Sequence, residues 1–204
     1  MKLLIDTDAF CKLAICGLLE DAVKLLGEEL RTCGRLAALP YMLKKGKLQA
    51  TFGAVYCEQI AKMVEQVPAV SISASPTVDK LTQCSNIDAG EALLFSTAVD
   101  EKMLMITGDK RALRALKNVE GFPEYLKERI ITIEAILLAL CEEYGFITIY
   151  SQIAPLVAFD TMVRICFPPQ IEDPHDCLNS YYLALSKEVQ PLFLWSFNAV
   201  GVSR

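Results

Sequence analysis

The chain has 204 residues, 53% of them apolar and 22% charged, with a formal net charge of −5. Enough apolar residue is present for a sizeable core, which excludes wholesale disorder, and a sequence pI near 5.0 argues against whole-surface attraction to nucleic acid. No apolar run reaches the roughly 18–20 residues of a membrane span: Ile136–Cys141 stops at Glu142 and Glu143, and Thr148, Ser151, Gln152 and Pro155 interrupt Phe146–Phe159.

Lys2–Ile5 reads as a buried strand ending at Asp6; it is too short for a signal peptide, and a cytoplasmic setting is expected. Asp8 is placed to cap a helix running to Cys16, with Gly17 behind it. Leu18–Leu26 continues helically, Leu30–Cys33 suits a short strand, and Ala37–Lys47 forms a helix around Pro40. Gln49–Val67 is a longer amphipathic helix ending before Pro68. Ala69–Ser73 is strand-like. Pro76 can open a helix, Ile87–Glu101 is a strong one, and Met103–Thr107 has the continuous apolar character of a buried parallel strand. Gly108-Asp109 turns the chain into a helix through Lys117, and Arg129–Ile133 is a further strand leading into a helix to Tyr144. Strands alternating with helices predict an α/β domain over residues 1–144 with an open, mainly parallel sheet. Residues 145–204 lack that alternation. They read as two or three helices broken near Phe167-Pro168-Pro169 and Asp173-Pro174, an extension packed on the core or on a second subunit.

Eight cysteines and one histidine narrow the chemistry. The cysteines form no C-x-x-C pair and sit in apolar segments, so buried reduced thiols are expected rather than a disulfide framework. His175 alone supplies neither a zinc site nor a general base of the usual kind. Catalysis, if present, rests on carboxylates. Functional groups of open α/β sheets gather beyond the C-terminal strand ends, and Asp6, Glu91 and Asp109 meet that condition. Carboxylates from separate segments are suitable hard-oxygen ligands for Mg²⁺ or Mn²⁺. Each acid also has a plainer explanation: Asp88 and Glu91 have capping-box spacing, and Asp109 can simply cap its helix. Lys110, Arg111, Arg114 and Lys117 form a basic group after Asp109, with Lys44, Lys45 and Lys47 as a second; such groups are commonly solvated faces, but the first is placed to touch phosphates.

Leu-Leu-Ile-Asp-Thr-Asp (3–8), Asp-Ala-Gly-Glu-Ala-Leu-Leu-Phe-Ser-Thr-Ala (88–98) and Leu-Met-Ile-Thr-Gly-Asp-Lys-Arg-Ala-Leu (104–113) together resemble PIN domains, in the order that family shows them. The resemblance covers about residues 1–135. It implies a three-layer α/β/α sandwich and Mg²⁺- or Mn²⁺-dependent hydrolysis of RNA phosphodiesters. Asp6, Glu91 and Asp109 would be the catalytic metal ligands, Asp88 a further one, and Glu58 the position for the family's additional acid. Lys110, Arg111 and Arg114 would meet the RNA. Many PIN proteins are toxins held by a small antitoxin, a role the resemblance permits here, and apolar C-terminal helices suit a homodimer. Two other readings stay open. One is an interaction module that keeps the fold without the chemistry. The other is a haloacid-dehalogenase-like phosphatase using Asp6 and Asp8, although Phe10 stands where that family has threonine or valine.

Overall fold

The computed structural model describes residues 2–71, 75–170 and 173–197. Four short strands, β1 (Leu3–Ile5), β2 (Cys33–Gly34), β3 (Leu104–Thr107) and β4 (Ile130–Thr132), form an all-parallel sheet in the order β2-β1-β3-β4. The central pairing sets Leu3 against Leu104, Leu4 against Met105 and Ile5 against Ile106. The chain leaves β1 towards β2 and later returns on the opposite side of β1 as β3. The order therefore reverses between β1 and β3, where open α/β sheets form a crevice beyond the strand ends.

Strand side chains alternate between faces, and the core divides accordingly. Leu3, Ile5, Ile106 and Ile131 pack with Phe10, Ile60 and Leu137 from α1 (Thr7–Ile15), α4 (Lys47–Val64) and α9 (Ile133–Tyr144). Leu4, Met105 and Ile130 pack on the other side with Phe95 and Leu113 from α6 (Ala89–Asp100) and α7 (Lys110–Leu116). Every strand residue of β1 and β4 is buried, as a sheet covered on both faces requires. The protein is an α/β fold with a parallel sheet between two helical layers.

The segment after Gly145 packs on this core through α10 (Phe146–Ile153), α11 (Thr161–Cys166) and α12 (His175–Glu188). Leu178 joins the first cluster and Leu185 the second, so α12 straddles the β4 side of the sheet. Beyond it, the Glu128 N–H donates to Phe193 O at 2.8 Å and the Trp195 N–H to Ile130 O at 2.8 Å, covering an edge strand that would otherwise present bare backbone groups. The Tyr182 hydroxyl fixes this segment by donating to Trp195 O at 3.1 Å.

Most expected elements are present, with instructive differences. Asp6, not Asp8, caps α1: its backbone is extended and its carboxylate accepts the Thr7 N–H, whereas Asp8 sits in the first turn. Leu30–Thr32 is a 3₁₀ turn rather than strand, closed by reciprocal bonds between Glu29 and Thr32, and only Cys33–Gly34 pairs with β1. The helix around Pro40 is the shorter α3 (Leu39–Lys44), and α4 is kinked at Gly53, whose φ of 78° suits a residue without Cβ. The strand expected over Ala69–Ser73 reduces to one bridge between Ala69 and Arg35, and residues 72–74 lie outside the described set. α2 (Leu19–Leu25) and α5 (Pro76–Thr82) are as expected, and the short α8 (Phe122–Tyr125) was not anticipated. The expectation of eight reduced cysteines is corrected: Cys166 and Cys177 form a disulfide between α11 and α12, because those helices bring together two cysteines far apart in pattern but only 5.3 Å apart between Cα atoms. The other six are free thiols.

Truncating the central strand tests this core. Ile106→Ala should lower unfolding free energy by about 2–5 kcal/mol in urea denaturation, while Val55→Ala, at a position 79% exposed, should stay within about 0.5 kcal/mol of the parent.

Candidate functional site

The crevice between β1 and β3 is lined by acids that three helix starts place there. Asp6 follows Ile5, its N–H donating to Ile106 O at 2.9 Å, so the residue leaving β1 remains tied to β3. Its carboxylate accepts the Thr7 N–H at 2.7 Å and is 7% exposed. Burial pushes the Asp6 carboxyl up to about 7; Asp8, Asp109 and Asp88 push the same way, against the Thr7 hydrogen bond.

Asp88 and Glu91 form the capping box their spacing suggests. Asp88 Oδ1 accepts the Glu91 N–H at 2.8 Å, and Glu91 Oε2 accepts the Asp88 N–H at 2.8 Å. The same box fixes the Glu91 carboxyl next to Asp109. Burial and a hydrogen bond to Asp109 raise Glu91 to about 8. At Asp109 burial pushes up too, but the Glu91 bond, the Ala112 N–H at 2.9 Å and the Arg111 charge outweigh it and hold this carboxyl below its ordinary value. Of the two neighbouring acids, Glu91 therefore holds a proton more tightly than usual and Asp109 less tightly. Two adjacent carboxyls cannot cheaply both ionise.

Asp8 stands at the rim. Lys12 Nζ lies 2.7 Å from Asp8 and 2.6 Å from Asp160, the N-cap of α11. Gly108 lets the β3–α7 turn approach: a Cβ there would lie 3.0 Å from Asp8 Oδ2 and 3.3 Å from Ile133 Cγ1. Burial would lower Lys12, but Asp8 and Asp160 more than compensate and raise it. It remains an ammonium.

The remaining expected residues are placed differently. Glu58 is on an exposed face of α4. Its neighbour Gln59 donates to Ala14 O at 3.0 Å, at the end of α1 opposite Asp6 and roughly 13 Å away along the helix axis. Glu58 therefore does not join the other acids. Arg111 leans over the crevice, 3.6 Å from Glu91 and 3.5 Å from Asp109. Arg114 is held by Glu188, at 2.6 and 3.0 Å, and Lys117 donates to Glu188 O at 2.7 Å, so these bases tie α7 to α12. Lys44, Lys45 and Lys47 are exposed. His175 opens α12 with its ring half-exposed, 3.8 Å from Glu142. A residue the sequence reading missed is Glu134, 2% exposed in the first turn after β4 and 2.6 Å from Lys110. Its signal was available: it is an acid just beyond a predicted strand, as Asp6 and Asp109 are.

Among the described residues, no three His, Cys, Asp or Glu side chains stand close enough together to hold one ion as they are placed. No helix among them is long and apolar enough to cross a membrane. No protein-family model, curated protein or solved structure matches the chain.

The raised carboxyls set a pH dependence. Asp6 and Glu91 have ordinary values of 3.8 and 4.5 and hold protons more tightly in the fold, at about 7 and about 8. Their protonated forms therefore contribute stability fully below about 4, and that contribution is lost as pH rises through 7 and 8. Melting temperature of the metal-free protein should fall between about pH 5 and pH 8.5, and Asp6→Asn should flatten the slope in differential scanning calorimetry.

Proposed function

We propose that the chain is a PIN-like endoribonuclease that hydrolyses RNA phosphodiester bonds with Mg²⁺ or Mn²⁺. The observation that carries this reading is that Asp6, Asp88, Glu91 and Asp109 stand at three separate helix starts beside the β1 and β3 strand ends, Asp6 feeling Asp109 and Asp88, and Glu91 feeling Asp109 and Asp88.

Two features support a cation there. The donors are all carboxylate oxygens, the chemistry hard divalent ions prefer, and Asp6 and Glu91, raised first by burial and then by neighbouring acids, would gain a counter-charge from a bound cation. Thr7 Oγ1, one residue from Asp6, is buried with no hydrogen-bond partner, a state that costs about 1–3 kcal/mol if unanswered. Asp6, Glu91 and Asp109 would hold the ion, with Asp88 beside them, by drawing closer together than they stand without it. When bound, such an ion supplies activated water and neutralises charge on the phosphate. The chain's own contribution is orientation. Caps at Asp6 and Asp109 fix two carboxylates on the helix N-termini, and the Asp88 N–H fixes the third through Glu91 Oε2. Arg111, 60% exposed, is the cation positioned to meet an RNA phosphate. Lys110 and Arg114 already have acidic partners and serve RNA only by releasing them.

The same Arg111 favours a second reading. Its guanidinium already partly neutralises Glu91 and Asp109, as suits a PIN-fold module that binds a protein partner without cutting RNA. A toxin role with a small antitoxin is a special case of the first reading.

Single-stranded RNA incubated with the purified protein and Mn²⁺ should be cleaved, and EDTA should stop the reaction. Loss of a supporting residue around a metal ligand costs roughly 10–100-fold, so Asp109→Asn, which changes a ligand itself, should lower the rate about a hundredfold or more. Cleavage that survives Asp109→Asn, or a protein inert to RNA and without Mn²⁺ affinity, sinks the nuclease reading.

A further inference from the structure

With a net charge of −5, the protein attracts an anionic strand only where cations stand without acids of their own. Many of its basic side chains fail that condition. Lys12 is shared by Asp8 and Asp160, Lys110 lies 2.6 Å from Glu134 and 5.3 Å from the Tyr181 ring centroid, and Glu188 takes both Arg114 and Lys117. Lys2, Lys24, Arg31 and Lys80 have acidic partners as well. Lys62, Lys102 and Lys187 form no ion pair with a described residue, but they stand apart, on α4, after α6 and on α12. Lys44, Lys45 and Lys47 are also exposed and without an ion pair among the described residues, and they are adjacent.

These three lysines stand at the tip of a helical hairpin made by α3 and α4. Gly46 makes the turn, with a φ of 107° that a side chain would strain. Tyr41, Lys44 and Lys45 have helical i, i+3 and i+4 spacing, so they share the exposed face of α3, while Leu39 and Leu43 are buried. Tyr41 is 69% exposed. Both arms of the hairpin are rooted beside the acids. Leu36, just before α3, packs so close to Gly90, between Asp88 and Glu91, that a Cβ there would lie 2.8 Å from Leu36 Cδ1. On the other arm, Phe52 and Tyr56 pack edge-on against Phe159 at 5.2 and 5.8 Å, and the next residue, Asp160, holds Lys12. The link from Leu36 to Leu39 and the helix from there to Lys44 together span at most roughly 18 Å.

Building on the nuclease reading, we propose that the α3–α4 hairpin is the arm that holds the RNA strand. Lys44, Lys45 and Lys47 contact its phosphates, Tyr41 stacks on one of its bases, and the strand runs from there to Arg111 and the acids. A single-stranded segment fits this pattern. Basic side chains beside an aromatic platform bind without regard to sequence, because phosphates repeat along the backbone and every base has a π-face. About 4–16 nucleotides, the usual footprint of one single-strand binding fold, cover the distance from hairpin to crevice. The net negative charge of the chain disfavours other paths for the strand.

The test is binding of a fluorescently labelled single-stranded RNA of about a dozen nucleotides to the full chain in EDTA. Anisotropy is read over a potassium chloride series, so that binding is separate from cleavage. Lys44→Gln, Lys45→Gln and Lys47→Gln combined should weaken binding about tenfold or more at low salt. They should also reduce the slope of log affinity against log salt by about 2, since each phosphate contact to a single strand contributes about 0.7. Tyr41→Leu should weaken binding about fivefold or more with the salt slope unchanged. Lys62→Gln, Lys102→Gln and Lys187→Gln combined remove the same charge from separate places and should leave both readings near the parent's. All these positions are exposed, and thermal melts check each fold. Equal losses in the two triple variants, or a salt slope unchanged in the hairpin variant, overturn the inference. Binding of phosphatidylserine vesicles through the same three lysines, by a protein that ignores RNA, overturns it too. A protein that cuts RNA but binds it independently of the hairpin loses this arm and keeps the nuclease reading. Hairpin-dependent binding in a protein that cuts no RNA supports the arm and removes the nuclease reading instead.

Discussion

Three residue pairs between β1 and β3 hold the molecule's chemistry in place. Because Ile5 is in register with Ile106, the residues that follow the two strands emerge on the same side and within a short distance of one another. Asp6 stays bonded to Ile106 by its own N–H, so it cannot drift from the β3 end. Glu91 reaches the same place because α6 begins there, closed by its capping box. Neighbouring carboxylates repel each other, and the fold answers with Glu91 raised and Asp109 lowered from their ordinary values and with Arg111 3.6 Å and 3.5 Å from them. The apolar clusters on both faces of the sheet supply the stability against which this repulsion is set.

The helix caps show how one residue serves structure and site together. An N-cap carboxylate satisfies a backbone N–H that the helix itself leaves unpaired, and it also lies where the helix dipole favours negative charge. Asp6, Asp88 and Asp109 all use that position. A plain capping role and a site role are therefore not rivals for Asp88 and Asp109. The cap is the means by which the acid is held, and substituting either residue perturbs a helix start as well as the crevice.

Strand and helix identity was largely legible in the sequence, because buried parallel strands such as Met103–Thr107 are continuously apolar and the helices carry their own caps. The order of the strands follows less directly, since it depends on which side of β1 the returning chain takes. The position of Asp6, Glu91 and Asp109 was legible, each an acid next to a strand end or helix start. Glu134 has the same signal and was overlooked for want of a motif around it. Glu58 was assigned from family pattern, but helix phase turns it to solvent. The roles of Arg114, Lys117 and Tyr181 depend on contacts made by α12, distant in sequence, and no local spacing encodes them. The Cys166–Cys177 bridge joins residues only 11 apart, and it was hidden because no cysteine motif marks the pair and two helices must pack to bring them together.

The strap formed by Phe193 and Trp195 along β4 has a consequence for how the chain is made. Translation adds about 5–20 residues per second, so β4 leaves the ribosome on the order of several seconds before the segment that covers it. During that interval the nascent sheet has an open, apolar border able to pair with a neighbouring chain. Until residues 193–195 emerge, nothing among the described residues of the chain itself covers that border.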